Sequence, residues 1–292
     1  MRQRTLSKYL KDKYGQKVYK IALDGGFTCP NRDGTIDTRG CIFCSAGGSG
    51  DFAEDRKLSI TEQIEKGKLR VEGKMSGEEK KYIAYFQAFT NTYAPISRLR
   101  SLYTEAISHP DILAISIGTR PDSLNSNVLD LIEELNNVKP VWVELGLQTI
   151  HKKSSDYIRR GYPLEVFDEA VKNLRARNIE TIVHVILGLP GESKDDMLET
   201  VRYVGESGVQ GIKLQLLHVL KGTDLALDYE KGLFKCMTMD EYISLVDECL
   251  KILPEDIIIH RLTGDGPKRI LIAPEWSKDK KRVLNALNKI LA

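Results

Sequence analysis

The sequence predicts an α/β protein built on a parallel sheet. Two observations carry that expectation. Six short apolar runs recur after residue 15, at 18–23, 82–89, 113–117, 141–147, 181–187 and 212–217, mostly rich in Val, Ile, Leu or Tyr. Near-continuous apolar runs of this kind suit strands buried on both faces. Longer amphipathic stretches separate them, and strands alternating with helices form parallel sheets. Helices are expected at 59–72, 96–108, 127–135, 164–177 and 193–207. Ser59 and Thr61 stand near the cap of the first, Pro95 precedes the second, and the turn Pro121-Asp122 precedes the third. Ser193 followed by Asp195 and Asp196 makes a sound N-terminal signature for the last. Beyond residue 217 the alternation loosens into a loop through Gly222 and Gly232, a helix at 238–253, a short apolar run at 257–259, a turn at 264–267 and a final helix at about 278–291.

At 292 residues, 41% hydrophobic and 29% charged, the chain is long enough for a sizeable core. One domain spanning 1–292 is the simplest division, with a core at about 16–220 and a C-terminal extension from about 221. No run of eighteen apolar residues exists, and the basic N-terminus lacks a secretory apolar stretch, so a cytoplasmic protein is expected. Five cysteines are too few for a disulfide scaffold. The net charge of +2 conceals basic runs at both ends: seven Lys and Arg against Asp12 over residues 1–20, then Lys278, Lys280, Lys281 and Arg282. Such runs suit an acidic partner, although solvated surface charge is the ordinary reading of either one.

The most informative segment follows the first expected strand. Eleven residues separate Cys29 from Cys41, two separate Cys41 from Cys44, and glycines 25, 26, 34, 40, 47, 48 and 50 let the loop fold round a bulky group. Three roles compete. A zinc site needs four protein ligands, and Cys236 or Cys249 could supply the fourth. A Cys41–Cys44 redox disulfide leaves Cys29 unexplained. A four-iron cluster on three thiolates keeps one iron open for a ligand. Cys249 sits among apolar helix residues and reads as core. Cys236, in a Gly/Lys/Phe loop, is a candidate thiol hydrogen donor or extra ligand.

Together with later peptides the loop resembles the radical S-adenosylmethionine superfamily, in its YhcC/YtqA branch, which is related to the radical domain of the elongator catalytic subunit. The resemblance runs through Phe86-Gln-Ala-Phe-Thr-Asn-Thr-Tyr93, Ser116-Ile-Gly-Thr-Arg-Pro-Asp122, Val143-Glu-Leu-Gly-Leu-Gln-Thr149, Arg159-Arg-Gly161, Gly188-Leu-Pro-Gly-Glu192 and His260-Arg-Leu-Thr-Gly-Asp-Gly266. Those from 86 to 192 fall at or just past expected strand ends, where ligands of such folds gather. The resemblance implies a partial (β/α)6 TIM-like barrel with N- and C-terminal extensions. It implies a [4Fe–4S] cluster on Cys29, Cys41 and Cys44 and S-adenosylmethionine as the second cofactor. It places Gln87 and Asn91 near the amino group of the methionine moiety, and Glu144, Gln148 and Arg160 near the ribose or the methionine carboxylate. Gly188 would lie by the adenine. His184 is either a cofactor contact or a satisfied core histidine, and Arg120 with Asp122 either serves the site or forms a structural pair. Relatives often carry a glutamate where this chain has Gly118. The implied substrate is transfer RNA, remodelled at C5 of the wobble uridine from a carboxymethylaminomethyl toward an aminomethyl side chain. A flavodoxin or ferredoxin-type protein would donate electrons. A small-molecule radical enzyme and a zinc-stabilised RNA-binding protein are the alternatives.

Overall fold

A computed structural model describes residues 4–75, 79–264 and 266–291; Arg2 of the basic run and Asp265 of the expected turn lie outside them. The strands are β1 (Arg4–Thr5), β2 (Tyr19–Leu23), β3 (Tyr82–Phe86), β4 (Ile112–Thr119), β5 (Val141–Gln148), β6 (Glu180–Leu187), β7 (Gly211–Leu216), β8 (Val219–Leu220), β9 (Ile258–Arg261) and β10 (Leu271–Ala273). The helices are α1 (Leu6–Tyr14), α2 (Ile60–Val71), α3 (Ile96–Ser108), α4 (Ser126–Asn136), α5 (Lys152–Tyr157), α6 (Leu164–Ala176), α7 (Lys194–Glu206), α8 (Asp224–Glu230), α9 (Met239–Ile252) and α10 (Lys280–Leu291). Eight strands form one parallel sheet in the order β1-β9-β7-β6-β5-β4-β3-β2. The six expected strands are its centre, and β1 and β9 extend it at one edge. β8 and β10 pair antiparallel apart from it.

The sheet is curled into a half-barrel. Lys20 on β2 reaches Glu144 on β5, and Lys213 on β7 reaches Tyr85 on β3, contacts that a flat sheet of this order would forbid. Alternate residues of each strand point into the lumen and stack in layers. Ile83, Ala114, Trp142 and Ile182 make an apolar floor, joined by Leu10 of α1 and Val18. Two residues further along each strand, Tyr85, Ser116, Glu144, His184 and Lys213 form a polar ring. Two further again, Gln87, Gly118, Gly146, Ile186 and Gln215 line an open cavity at the strand ends.

Helix α1 closes the floor, and its ends are set locally. Thr5 accepts from Lys8 N at 3.4 Å, while Gly15, at φ 71°, donates to Lys11 O at 2.9 Å. Sequence reasoning saw only basic charge here, because the helix contributes a single fully buried side chain, Leu10. On the outer face, helices α2, α3, α4, α6 and α7 bury apolar stripes against the sheet. Capping boxes at Ser59–Glu62, Ser193–Asp196 and Thr238–Glu241 fix the starts of α2, α7 and α9. No described helix is long and apolar enough to cross a membrane.

Candidate active site

The cysteine loop leaves β2 and folds over the open end of the half-barrel. Two tight turns present the thiols: Arg32 N donates to Cys29 O at 2.8 Å, and Cys44 N donates to Cys41 O at 3.0 Å. The Arg32 guanidinium ties the turns together, donating to Cys44 O at 2.9 Å and Ser45 O at 2.7 Å. Asn31 anchors the loop to the segment after β5, its amide donating to Arg159 O at 2.7 Å and Arg160 O at 3.2 Å. At Gly48, φ 56°, a Cβ would fall 2.4 Å from the Phe89 ring, so only glycine lets the loop sit this close to the end of β3.

Cys29, Cys41 and Cys44 face one cavity of about 790 Å³, whose far wall is the polar ring. Asn31 Nδ2 lies 3.5 Å from Cys41 Sγ, and Ser49 Oγ 3.9 Å from Cys44 Sγ. Burial pushes the Cys41 thiol up to about 12, aided by Cys44 and opposed by Arg120. Burial also raises Cys44, against the pull of the Arg32 charge. Hydrogen-bond donors and cations round sulfur are the usual means of tuning a thiolate-bound cluster.

At the centre of the ring Glu144 has no solvent-exposed side-chain area. Its Oε1 accepts from Lys20 Nζ at 2.5 Å and from Ser116 Oγ at 2.7 Å. Its Oε2 pairs with Lys213 Nζ and with His184 Nε2, the latter at 2.7 Å. Burial would raise this carboxyl; the two ammoniums hold it well below the carboxylate range instead. Burial lowers Lys213, as do the neighbouring charges of Lys20 and Arg261. Burial likewise lowers His184, to about 4, so its ring is neutral at pH 7. His184 Nδ1 lies 3.2 Å from Gln215 Nε2, which fixes the tautomer with the proton on Nε2, toward Glu144.

Of the residues singled out in the sequence, Gln87, Glu144, Gln148, Arg160 and His184 line the same cavity as the three cysteines. Gln87 Nε2 donates to Ser49 O at 2.8 Å, bracing the loop. Arg160 is 2% exposed and donates from Nε to Tyr162 O and from Nη1 to Leu147 O and Thr149 O. Gln148 ends β5 at φ 66°. Asn91 and Gly188 do not line the cavity. Asn91 is fully buried and donates to Gly118 O at 2.7 Å, holding the end of β4. Gly188, at φ 92°, turns the chain out of β6 beside Met237. Cys236 is half-buried in a satellite apolar cluster and does not line the cavity, and burial pushes its thiol up to about 11. Cys249 is core, as expected. Arg120 and Asp122 form a two-pronged pair at 2.9 and 2.6 Å. Sequence reasoning missed Lys20 and Lys213. Their signal was a lone charge inside an otherwise apolar strand, where a buried partner is obligatory.

The thiols fit a bulky group better than a single ion. Three thiolates on one zinc, at about 2.3 Å each, would lie roughly 3.8 Å apart. Among the described residues, the sets of three or more ligating atoms within 4.8 Å of one another are Glu65–His109–Asp111 and His151–Asp196–Glu199, and the three sulfurs are not such a set. They are nevertheless near enough to feel one another's charge.

An open parallel barrel with a three-thiol loop over its strand ends is the architecture of enzymes that start reactions with radicals. The chain belongs to the Radical SAM superfamily, whose profile matches residues 37–204, while the Radical_SAM C-terminal domain matches 209–292. It is accordingly an enzyme that uses a [4Fe–4S] cluster and S-adenosylmethionine. The first match takes in Cys41 and Cys44 and begins after Cys29. Protein YtqA of Bacillus subtilis is 47% identical over 290 residues, covering 99% of this chain and 89% of that one. The tRNA uridine(34) acetyltransferase of Methanocaldococcus jannaschii is 24% identical over 163 residues, which are 55% of this chain and 30% of the acetyltransferase. Among solved structures, Elp3 of the archaeon Methanocaldococcus infernus superposes with a TM-score of 0.66 at 18% identity, over 87% of this chain and 58% of that one. That likeness speaks to the fold: a partial barrel, as expected.

Proposed function

We propose that Cys29, Cys41 and Cys44 hold the cluster and that the enzyme modifies the C5 side chain of the wobble uridine in transfer RNA, converting a carboxymethylaminomethyl group toward an aminomethyl one. The observation that carries the cluster assignment is the convergence of the three thiols on one cavity, spaced more widely than a single ion needs. When bound, the cofactors supply reductive cleavage of S-adenosylmethionine to methionine and a 5′-deoxyadenosyl radical, which takes hydrogen from the substrate.

The protein's own part is positioning and exclusion of water. Arg160 spends Nε and Nη1 on backbone carbonyls; its two Nη2 hydrogens have no partner among the described residues and suit the methionine carboxylate. The bare strand end at Gly118 leaves room for the adenosine, while the Gln148 amide fills the side-chain place at Gly146. Gln87 and Gln148 border that space, and Asn91 acts on it indirectly through Gly118 O. An apolar floor lies below the ring.

The substrate reading rests on similarity to a transferase named for uridine 34 of tRNA and on basic runs at both chain ends, which suit phosphates. Nucleoside mass spectrometry of transfer RNA from a strain lacking the gene is the test. Accumulation of the carboxymethylaminomethyl nucleoside, reversed by the restored gene, supports the reading. An unchanged wobble-uridine profile overturns it and favours a small-molecule substrate.

A further inference from the structure

The polar ring sets two buried amines against one carboxylate. Lys20 and Lys213 both pair with Glu144. Each ammonium carries three hydrogens. Lys20 gives one to Glu144 and one to Ser116 Oγ at 3.2 Å; Lys213 gives one to Glu144 and one to Tyr85 OH at 3.3 Å. Beyond these, Lys20 Nζ lies 5.0 Å from the Tyr85 and Trp142 ring centroids and Lys213 Nζ 4.5 Å from that of Tyr85, which leaves each one hydrogen without an oxygen or nitrogen acceptor among the described residues, and both lysines line the cavity.

Position narrows the ligand. The ring lies one layer below Gly118 and Gly146 and two strand residues above the apolar floor. A small group on the tip of a flipped base can reach that layer. Resting on the transfer-RNA reading, we infer that Lys20 and Lys213, held apart by Glu144, form an anion subsite that takes the terminal carboxylate of the substrate's C5 side chain. This subsite makes the carboxylate the deepest atom group of the bound substrate. The carbon attached to it is then held between the ring and the strand-end layer. A wobble uridine without that carboxylate forfeits the contact, so the subsite also separates substrate from the aminomethyl product.

The test uses two anticodon stem-loops, identical except that the wobble side chain ends in the carboxylate or in its carboxamide. Both are titrated against the reconstituted protein, Lys213→Gln and the charge-preserving Lys213→Arg. The expected result is a preference for the carboxylate of about tenfold, lost in Lys213→Gln and kept in Lys213→Arg. Equal binding of the two stem-loops by the unaltered protein overturns the subsite and leaves the transfer-RNA reading standing. That comparison needs no variant to fold. If neither stem-loop binds, the transfer-RNA reading fails. The subsite is then decided by N-methylglycine against its methylamide, using the unaltered protein: tighter binding of the carboxylate supports it, and equal binding overturns it.

Discussion

Replacing Glu144 by leucine should destabilise the protein severely without touching a cysteine. The carboxylate is the shared partner of two ammoniums, one hydroxyl and one imidazole, and its side chain has no exposed area. Its removal leaves Lys20 and Lys213 side by side, 16% and 6% exposed, with their charges uncompensated. Breaking a buried ion pair by removing one partner typically costs about 3–5 kcal/mol. Lys213 relieves part of that by losing its proton, since burial has already lowered its pKa. The lower half of the range, about 3–4 kcal/mol, is therefore the expectation. An unfolding entropy of roughly 2.1 cal/mol/K per residue gives about 0.6 kcal/mol/K for this chain, so Tm should fall by roughly 5–7 °C. Differential scanning calorimetry of the metal-free protein measures it, with Glu144→Gln as the isosteric companion. Glu144→Gln should lie between the two, because it keeps a carbonyl acceptor and loses the charge. A Tm within 1 °C of the unaltered protein, about 0.6 kcal/mol, for Glu144→Leu would refute the buried pairing.

Two further outcomes follow from the fold and the ring. Leu10→Ala should lower stability by about 2–5 kcal/mol, because Leu10 is 2% exposed and seals the barrel floor, whereas Leu69→Ala, 74% exposed, should stay within about 0.5 kcal/mol; equal denaturation midpoints for the two would contradict the plug. His184 faces Glu144, Lys213, Lys20 and Gln215, and its folded pKa of about 4 lies below the unfolded value of about 6.5. The unfolded chain therefore binds the extra proton between those values, and stability falls as pH drops from about 6.5 to 4. The full effect approaches roughly 3 kcal/mol. His184→Gln should flatten that part of the Tm–pH curve, and superimposable curves would show that the ring does not hold a neutral histidine.

Much of the fold was legible because buried parallel strands advertise themselves. Every central strand carries a run of Val, Ile, Leu or Tyr, and capping residues such as Ser59, Ser193 and Thr238 mark where helices start. The edges were harder. β1 is two residues long and draws its pairing wholly from β9, so no local pattern betrays it. Helix α1 reads as a charge run because only Leu10 is fully buried. In the site, the three cysteines were identifiable from type and spacing, and Gln87, Gln148 and Arg160 from the family resemblance. Of the ring, Glu144 and His184 were singled out, but their partners Lys20, Ser116 and Lys213 were not, since the five are scattered over five strands and meet only when the sheet curls. Asn91 was read as a site residue, but its polar hydrogens point to Gly118 O and it acts from behind the wall.

Anaerobic reconstitution followed by reduction with dithionite in the presence of S-adenosylmethionine tests the three-cysteine cluster most directly. The unaltered protein should be brown, bind about four irons per chain and release 5′-deoxyadenosine, and Cys29→Ala, Cys41→Ala and Cys44→Ala should each abolish that release. Colourless protein with one zinc and no 5′-deoxyadenosine, or full release from any one of the three variants, would contradict it.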